Sequence, residues 1–255
     1  MILTHSVKKR IFDITFSFIG LVLVIPLIIP FIFLIWLQDF ENPFYIADRV
    51  GLNFKKFKII KLRSMILKAD KSKVDSTSAN DPRITKVGSI IRKLKLDELT
   101  QLFNVFKGEM SFVGPRPNVE RETNLYSNKE NEILKVKPGI TDFASIVFSD
   151  ESEILKDHQN PDIAYNQLIR PRKNFLALTY IKNKSITLDL KIILLTLFAF
   201  VNKRKTLNLI VRILRSYETP EEIIEMARRD NKLTPMAPPR LLYTSDAADD
   251  GLCVD

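Results

Sequence analysis

The clearest break in the mixed pattern of hydrophobic and polar positions lies near the N-terminus, where residues 14–37 are 24 consecutive positions without a charge. An α-helix needs roughly 20 apolar residues to cross the hydrocarbon core of a bilayer, so length alone predicts a membrane helix. Its central stretch, "IGLVLVIPLIIPFIFLIW", carries Pro26 and Pro30. Each proline lacks an N–H and crowds the carbonyl four residues back, which frees the carbonyls of Val22 and Pro26 at mid-depth. Positive charge flanks both sides, with Lys8, Lys9 and Arg10 before the segment and Arg49, Lys55, Lys56 and Lys58 after it. Basic flanks stay in the cytoplasm, and acidic residues such as Asp39 and Glu41 contribute little to topology. The pattern therefore favours a re-entrant hairpin broken at Pro26 and Pro30. A kinked span, with its freed carbonyls satisfied by neighbours, is the alternative. A secretory signal peptide fits poorly, because the run is too long and no small-residue cleavage site follows it.

Beyond this segment the pattern is mixed. "FKKFKIIKLRSM", residues 54–65, partly alternates basic and apolar residues and reads as a strand with a cationic end. Residues 68–83 are polar throughout and read as a loop, and residues 84–95 as a short basic helix. Leu99, Leu102, Phe103 and Phe106 then repeat as one face of an amphipathic helix, closed by Lys107 and Gly108. Further on, "IILLTLFAFV" at residues 192–201 is too short to span. With the following "NKRK" and "TLNLIVRILR" it predicts helices lying in the headgroup region, against the alternative of core helices with a solvated cationic face. "TPEEIIEMARR" predicts a structural helix with Thr219 as N-cap, Pro220 at the first helical position and Glu222 completing a capping box.

Composition adds bounds. The 255 residues, 45% hydrophobic, suffice for a membrane element and one globular domain. A net charge of +9 suits phosphates, anionic lipid or nucleic acid. The single cysteine, Cys253, excludes an intramolecular disulfide and fits a reducing compartment. The last stretch, "RLLYTSDAADDGLCVD", has four aspartates and no lysine after its first residue, and reads as a non-native tail. The expected organisation is a basic segment and hairpin over 1–40, a catalytic domain over 41–205, a helical extension over 206–239 and the tail over 240–255.

The densest motif is "LDELTQLFNVFKGEMSFVGPRP", residues 96–117. Asp97 and Glu98 open its helix, where acidic residues commonly serve as an N-cap and a first-turn stabiliser. Two features favour chemistry over that structural role. Arg92, Lys93 and Lys95 precede the pair, and Arg116 is held between Pro115 and Pro117, so its planar fork of donors is restricted in where it can swing. Adjacent carboxylates also suit Mg²⁺, which takes one or two carboxylates plus substrate phosphates. Carboxylate, metal and arginine together point to phosphoryl transfer.

On these residues the chain resembles the small monotopic phosphoglycosyl transferases, the bacterial sugar transferase family that starts capsule, exopolysaccharide and O-antigen synthesis. The motifs that carry the resemblance are "KKRIFD" at residues 8–13, the proline-broken segment, "KLRSM" at 61–65, "DPRITKVGSIIRKLKLDELTQLFNVFKGEMSFVGPRP" at 81–117, "KPGIT" at 137–141 and "YIKNKSITLDLKIILLT" at 180–196. The resemblance implies a UDP-sugar donor, a polyprenyl phosphate acceptor and release of UMP. It makes Asp97 the nucleophile that carries the sugar phosphate between them, with Glu98 assisting in metal or proton handling and both residues near Mg²⁺. Lys61, Arg63, Arg92 and Arg116 become the phosphate contacts. It also implies a monotopic protein of the bacterial inner membrane, with its catalytic domain in the cytoplasm on an anionic membrane surface, and leaves room for a homodimer.

Downstream the chain departs from the family pattern. Where "PGITGWAQVNGR" is common, this sequence reads "PGITDFASIVFS", placing Asp142, Ser145 and Ser149 at positions of Gly, Gln and Arg, and Ala177 stands at a common Asp. These departures touch nucleotide and sugar contacts more than the chemistry, and Arg170 or Arg172 is the candidate to replace the missing cation. Other site classes are absent: His5 and His158 are too far apart in sequence for a Ser-His-Asp or zinc arrangement, and no GxGxxG or P-loop occurs. A non-enzymatic, membrane-tethered basic binding protein is the alternative function, but no nucleic-acid motif supports it. The fold expected is α/β, mainly helical, with a small sheet and interfacial amphipathic helices around the hairpin.

Overall fold

The computed structural model describes residues 5–69, 77–78 and 81–238. The 240–255 tail with Cys253, and part of the 68–83 loop, lie outside these residues. The chain opens with α1 (His5–Asp39), followed by β1 (Phe44–Val50) and β2 (Lys56–Leu62), an antiparallel pair in which Tyr45 faces Lys61. Next come α2 (Lys86–Lys93), α3 (Leu96–Leu99), α4 (Leu102–Lys107) and β3 (Ser111–Val113). After α5 (Glu120–Thr123), β4 (Gly139–Thr141) pairs parallel with β3. Short helices α6 (Phe143–Val147), α7 (Glu151–Ile154) and α8 (Pro161–Ala164) lead into α9 (Arg170–Asn183), α10 (Ile186–Ala199), α11 (Lys203–Ser216) and α12 (Glu221–Arg228). The main core lies among α6, α9, α10, α11 and α12, around Phe143, Phe175, Ile192 and Ile210. The fold is thus mainly helical with two small two-stranded sheets.

The N-terminal segment differs from a two-armed hairpin: it is one helix with Pro26 and Pro30 inside it. Among the described residues it is the one helix long and apolar enough to cross a membrane. Its inward stripe is Asp13, Ser17, Leu21, Ile28 and Ile35, at steps of four or seven residues. That stripe packs on one domain along its length. Asp13 accepts from the Ser111 hydroxyl and the Phe112 N–H, Gly20 meets Leu102, and Ile28 and Ile35 cluster with Leu62, Ile91 and Leu96. The opposite face, including Phe18, Val22, Leu23, Leu27, Ile29 and Phe33, is bare hydrocarbon. Both prolines sit on this exposed side.

Charged anchors fix both ends of α1 to the same domain. Near the start, Lys9 Nζ reaches Asp189 Oδ2 at 2.5 Å, the Tyr180 hydroxyl and the Val113 carbonyl, while Arg10 donates to the carbonyls of Val105 and Phe106. At the far end, Arg63 holds Asp39 through both terminal nitrogens and the Asn42 carbonyl through Nε. Two motifs far apart in sequence, at residues 8–13 and 180–196, therefore meet over β3.

Helix α4 faces differently from the sequence expectation. Leu102, Asn104 and Val105 are buried, whereas Phe103 and Phe106 are exposed. The inward polar residue explains this: Asn104 accepts from the Ile60 N–H and donates to the Lys58 carbonyl, which turns that face towards β2. The outward Phe106 ring instead lies 6.3 Å from Phe18 of α1. The expected single helix is also split into α3 and α4 where the Thr100 hydroxyl donates to the Ile60 carbonyl. In α12 the cap shifts by one residue: Pro220 is itself the N-cap, with extended ψ, and the Thr219 hydroxyl has no partner among the described residues.

The two short parallel strands approach with almost no clearance. A Cβ on Gly139 would stand 2.1 Å from the backbone nitrogen of Gly114. Only glycine permits this contact, which sets Pro115-Arg116-Pro117 against the start of β4. Gly139→Ala is expected to destabilise the protein by about 1–3 kcal/mol, as overpacking of a tight site does. Thermal unfolding in detergent reads this directly, and an unchanged melting temperature would contradict the close approach.

Candidate active site

Three segments converge on Glu98. Lys61 comes from β2, Glu98 from the first turn of α3 and Arg116 from the Pro115-Pro117 loop. Glu98 Oε1 accepts from Lys61 Nζ at 2.9 Å and from Arg116 Nη2 at 2.5 Å. Thr100 and Asn104 lace α3 and α4 to β2, which sets the height of Lys61 over Glu98. Burial pushes the Glu98 carboxyl up, but Arg116 and Lys61 outweigh it and hold the group well below the usual carboxylate range. Burial also lowers the Lys61 ammonium, with Glu98 opposing, while Glu98 raises Arg116.

Asp97 is left in the opposite condition. It is buried, and its Oδ1 has no hydrogen-bond partner among the described residues. Burial and then the charge of Glu98 raise its carboxyl, with Lys61 and Arg92 opposing. It is not a helix cap either: the residue before α3 is Lys95, in a left-handed conformation with φ 57° and no side-chain cap. Adjacent carboxyls driven apart in this way mark different roles, one a fixed anion and one an available group. A buried acceptor without a partner costs stability, so its retention favours function.

The other expected site residues divide. Arg92 is close enough to Asp97 to influence its carboxyl. Arg63 is not at the site, because Asp39 and Asn42 occupy its donors and make it the anchor of α1. Arg170 and Arg172 are buried in α9, and Arg172 donates to the Leu168 carbonyl. Neither lines the cavity that opens beside Arg116. The second cation there is Lys173, paired with Glu151 and set over the Tyr165 ring at 5.2 Å. No local pattern marked Lys173 or Glu151 in the sequence, since they meet only through the packing of α7 on α9. The departures at residues 142 and 145 explain each other: Asp142 caps α6 by accepting from the Ser145 N–H and hydroxyl. Ala177 lines the same cavity, and Ser149 is exposed.

No group of three His, Cys, Asp or Glu side chains is placed to hold a metal among the described residues. Asp97 and Glu98 fit a cation only as a two-carboxylate set, with the unpartnered Asp97 Oδ1 as the available ligand. A hard cation that brings water and phosphate oxygens with it needs no more than this.

Asp97→Asn is expected to match or exceed the parent in thermal stability at pH 7, because it removes an unpaired buried carboxylate. The raised Asp97 carboxyl means that folding favours its protonated form, so the advantage should disappear as the pH falls below the value for an unfolded aspartate. Glu98 has the opposite sign: its lowered carboxyl contributes stability at neutral pH that is lost as pH falls through the folded value. Glu98→Gln should cost about 1–3 kcal/mol at pH 7. Melting curves across pH in chelator test both, and an Asp97→Asn protein less stable than its parent at pH 7 would contradict the unpaired state.

Known proteins resemble the chain over much of its length. The family described as bacterial sugar transferase matches residues 4–203. A Bacillus subtilis protein named as a candidate undecaprenyl-phosphate N-acetylgalactosaminyl 1-phosphate transferase is 45% identical over 134 residues, covering 52% of this chain and 70% of that protein. The undecaprenyl-phosphate glucose phosphotransferase of Komagataeibacter xylinus is 38% identical over 199 residues, which are 74% of this chain and 35% of the relative. A Klebsiella pneumoniae UDP-glucose:undecaprenyl-phosphate glucose-1-phosphate transferase is 37% identical over 204 residues, 78% of this chain and 41% of that one. With its acidic pair and arginine inside the matched region, the chain belongs to the bacterial sugar transferase family and is a phosphoglycosyl transferase.

Proposed function

We propose that the protein transfers a sugar 1-phosphate from a UDP-sugar to undecaprenyl phosphate through a covalent intermediate on Asp97. The observation that carries this reading is the unpartnered, desolvated Asp97 carboxyl beside the Lys61-Glu98-Arg116 cluster. In the first step an Asp97 oxygen bonds to the β-phosphorus, the bond from that phosphorus to the bridging oxygen breaks, and UMP leaves with the bridging oxygen. In the second, a phosphate oxygen of the lipid attacks the same phosphorus, and the Asp97 carboxylate is regenerated. Dividing the transfer lets a soluble donor and a lipid acceptor use one site in turn. Arg116 and Arg92 supply positive charge for the phosphate oxygens, and Glu98 holds Arg116 in place. Mg²⁺ held by Asp97 and Glu98 would offset charge on the diphosphate. A merely basic binding protein would have no use for a buried, unpaired carboxyl at this position.

The reading extends to the membrane. Both ends of α1 are tied to one domain, so a bilayer crossing would have to pull one anchored end away from it. The prolines lie on the outer face, so the crowded carbonyls and missing N–H groups are turned away from the domain. This supports a monotopic, re-entrant arrangement at the cytoplasmic face of the inner membrane. Helix α10 adds a second bare face through Leu190, Leu194 and Leu197, beside Phe200 and Val201, with the lysines and arginines of α11 next in sequence. That pairing suits a headgroup layer of anionic lipid.

Two experiments test these claims. Detergent-solubilised protein given UDP-sugars and polyprenyl phosphate should release UMP, and Asp97→Asn should lose turnover by on the order of a thousandfold. UMP release at the parent rate by that variant would eliminate the covalent route. For topology, single cysteines at Ser6 and at Glu41, with Cys253 replaced, should both resist a membrane-impermeant thiol reagent in intact cells and react after permeabilisation. Labelling at one end only would make α1 a transmembrane span.

A further inference from the structure

Asp142 carries more charge than its structural role requires. It is 2% exposed, and its Oδ1 alone accepts both hydrogen bonds that cap α6, from the Ser145 N–H at 2.6 Å and the Ser145 hydroxyl at 2.5 Å. A neutral Asn, Ser or Thr caps a helix comparably well. The second oxygen, Oδ2, accepts no hydrogen bond from the described residues, and Asp142 lines the cavity beside Arg116. Burial pushes its carboxyl up, against Ser145, Lys173 and Arg116. That oxygen is left to accept from a donor that enters the cavity.

Its place in the site suggests which ligand part that is. The cavity is a narrow cleft that begins at Arg116 and is walled by Asp142, Ser145, Lys173, Asn174 and Tyr165. Arg116 donates to Glu98, the neighbour of Asp97. In an in-line displacement the leaving UMP departs opposite the nucleophile, so the sugar on the β-phosphorus is held to the side, by the cations on the phosphate oxygens.

We propose that Asp142 is a specificity-determining residue for the donor sugar, its Oδ2 accepting a hydrogen bond from a ring hydroxyl or amide N–H. This rests on the UDP-sugar reading above. The chemistry favours neutral or N-acylated sugars, because a sugar carboxylate at that position would face the Asp142 charge.

The test is equilibrium binding to the full chain in detergent, with Asp97→Asn to prevent turnover. Ligands are UDP, UDP-glucose, UDP-galactose, their N-acetylamino forms and UDP-glucuronate. Asp142→Asn keeps the capping oxygen and the shape but turns the free acceptor into a donor. It should weaken the best UDP-sugar about tenfold or more, the scale of one lost hydrogen bond to a charged group, while UDP itself changes little. Asn160→Ala removes the comparable side-chain cap of α8, outside the cavity lining, and should leave sugar binding intact. Equal weakening of UDP and UDP-sugar, no change in either, or the same loss in Asn160→Ala would overturn the assignment and leave the donor reading standing. Failure of the parent to bind UDP or any UDP-sugar would overturn the donor reading and the assignment with it.

Discussion

The site depends on a single doubly paired oxygen, Glu98 Oε1. It ties together a strand, a helix start and a proline-bounded loop that are separated by up to 55 positions in sequence, from Lys61 to Arg116. Removing charged groups from water is expensive, and only close contacts offset the cost. Here the contacts are close, so Lys61 and Arg116 are held as a fixed pair of cations. The same arrangement leaves the adjacent Asp97 with desolvation and no partner. The opposite conditions of the two carboxyls thus come from one local inequality between neighbouring residues.

The membrane helix follows a comparable logic on a larger scale. Its outward face is too apolar for water, and patches of that size mark a membrane or a partner. Its inward face is not purely apolar, because Asp13 and Ser17 lie in the buried stripe. Polar anchors near both ends fix how α1 is rotated against the domain, which hydrocarbon contacts alone would leave less defined. Lys9 and Asp189 do this beside β3, the strand that leads into Pro115-Arg116-Pro117. The anchoring of α1 and the placing of Arg116 therefore share one small strand.

Much of this was legible in the sequence, where local physics dominates. The charge-free run and the strand around Lys61 carry short-range signals and form α1 and β2, and the Asp97-Glu98 pair and the proline-bounded Arg116 are equally visible as local motifs. What escaped were choices made by tertiary contacts. Arg63 reads like Lys61, two residues on and just past the end of β2, yet Asp39 claims it. Phe103 and Phe106 fit a buried face by spacing, but Asn104 has backbone partners on β2 and turns inward instead. The prolines signalled a break, and α1 absorbs them on its exposed side. Lys173 and the Asp142 cavity depend on helices distant in sequence, so no window of residues announces them.

The central claim is that Asp97 becomes bonded to the sugar phosphate. It is tested most directly by incubating the protein with its UDP-sugar in the absence of polyprenyl phosphate and measuring intact and peptide masses. The account predicts one sugar-phosphate adduct per chain, located on the peptide containing Asp97, missing in Asp97→Asn and discharged on adding the lipid. An adduct on another peptide would contradict it. So would the absence of any adduct in a protein that turns over when both substrates are present.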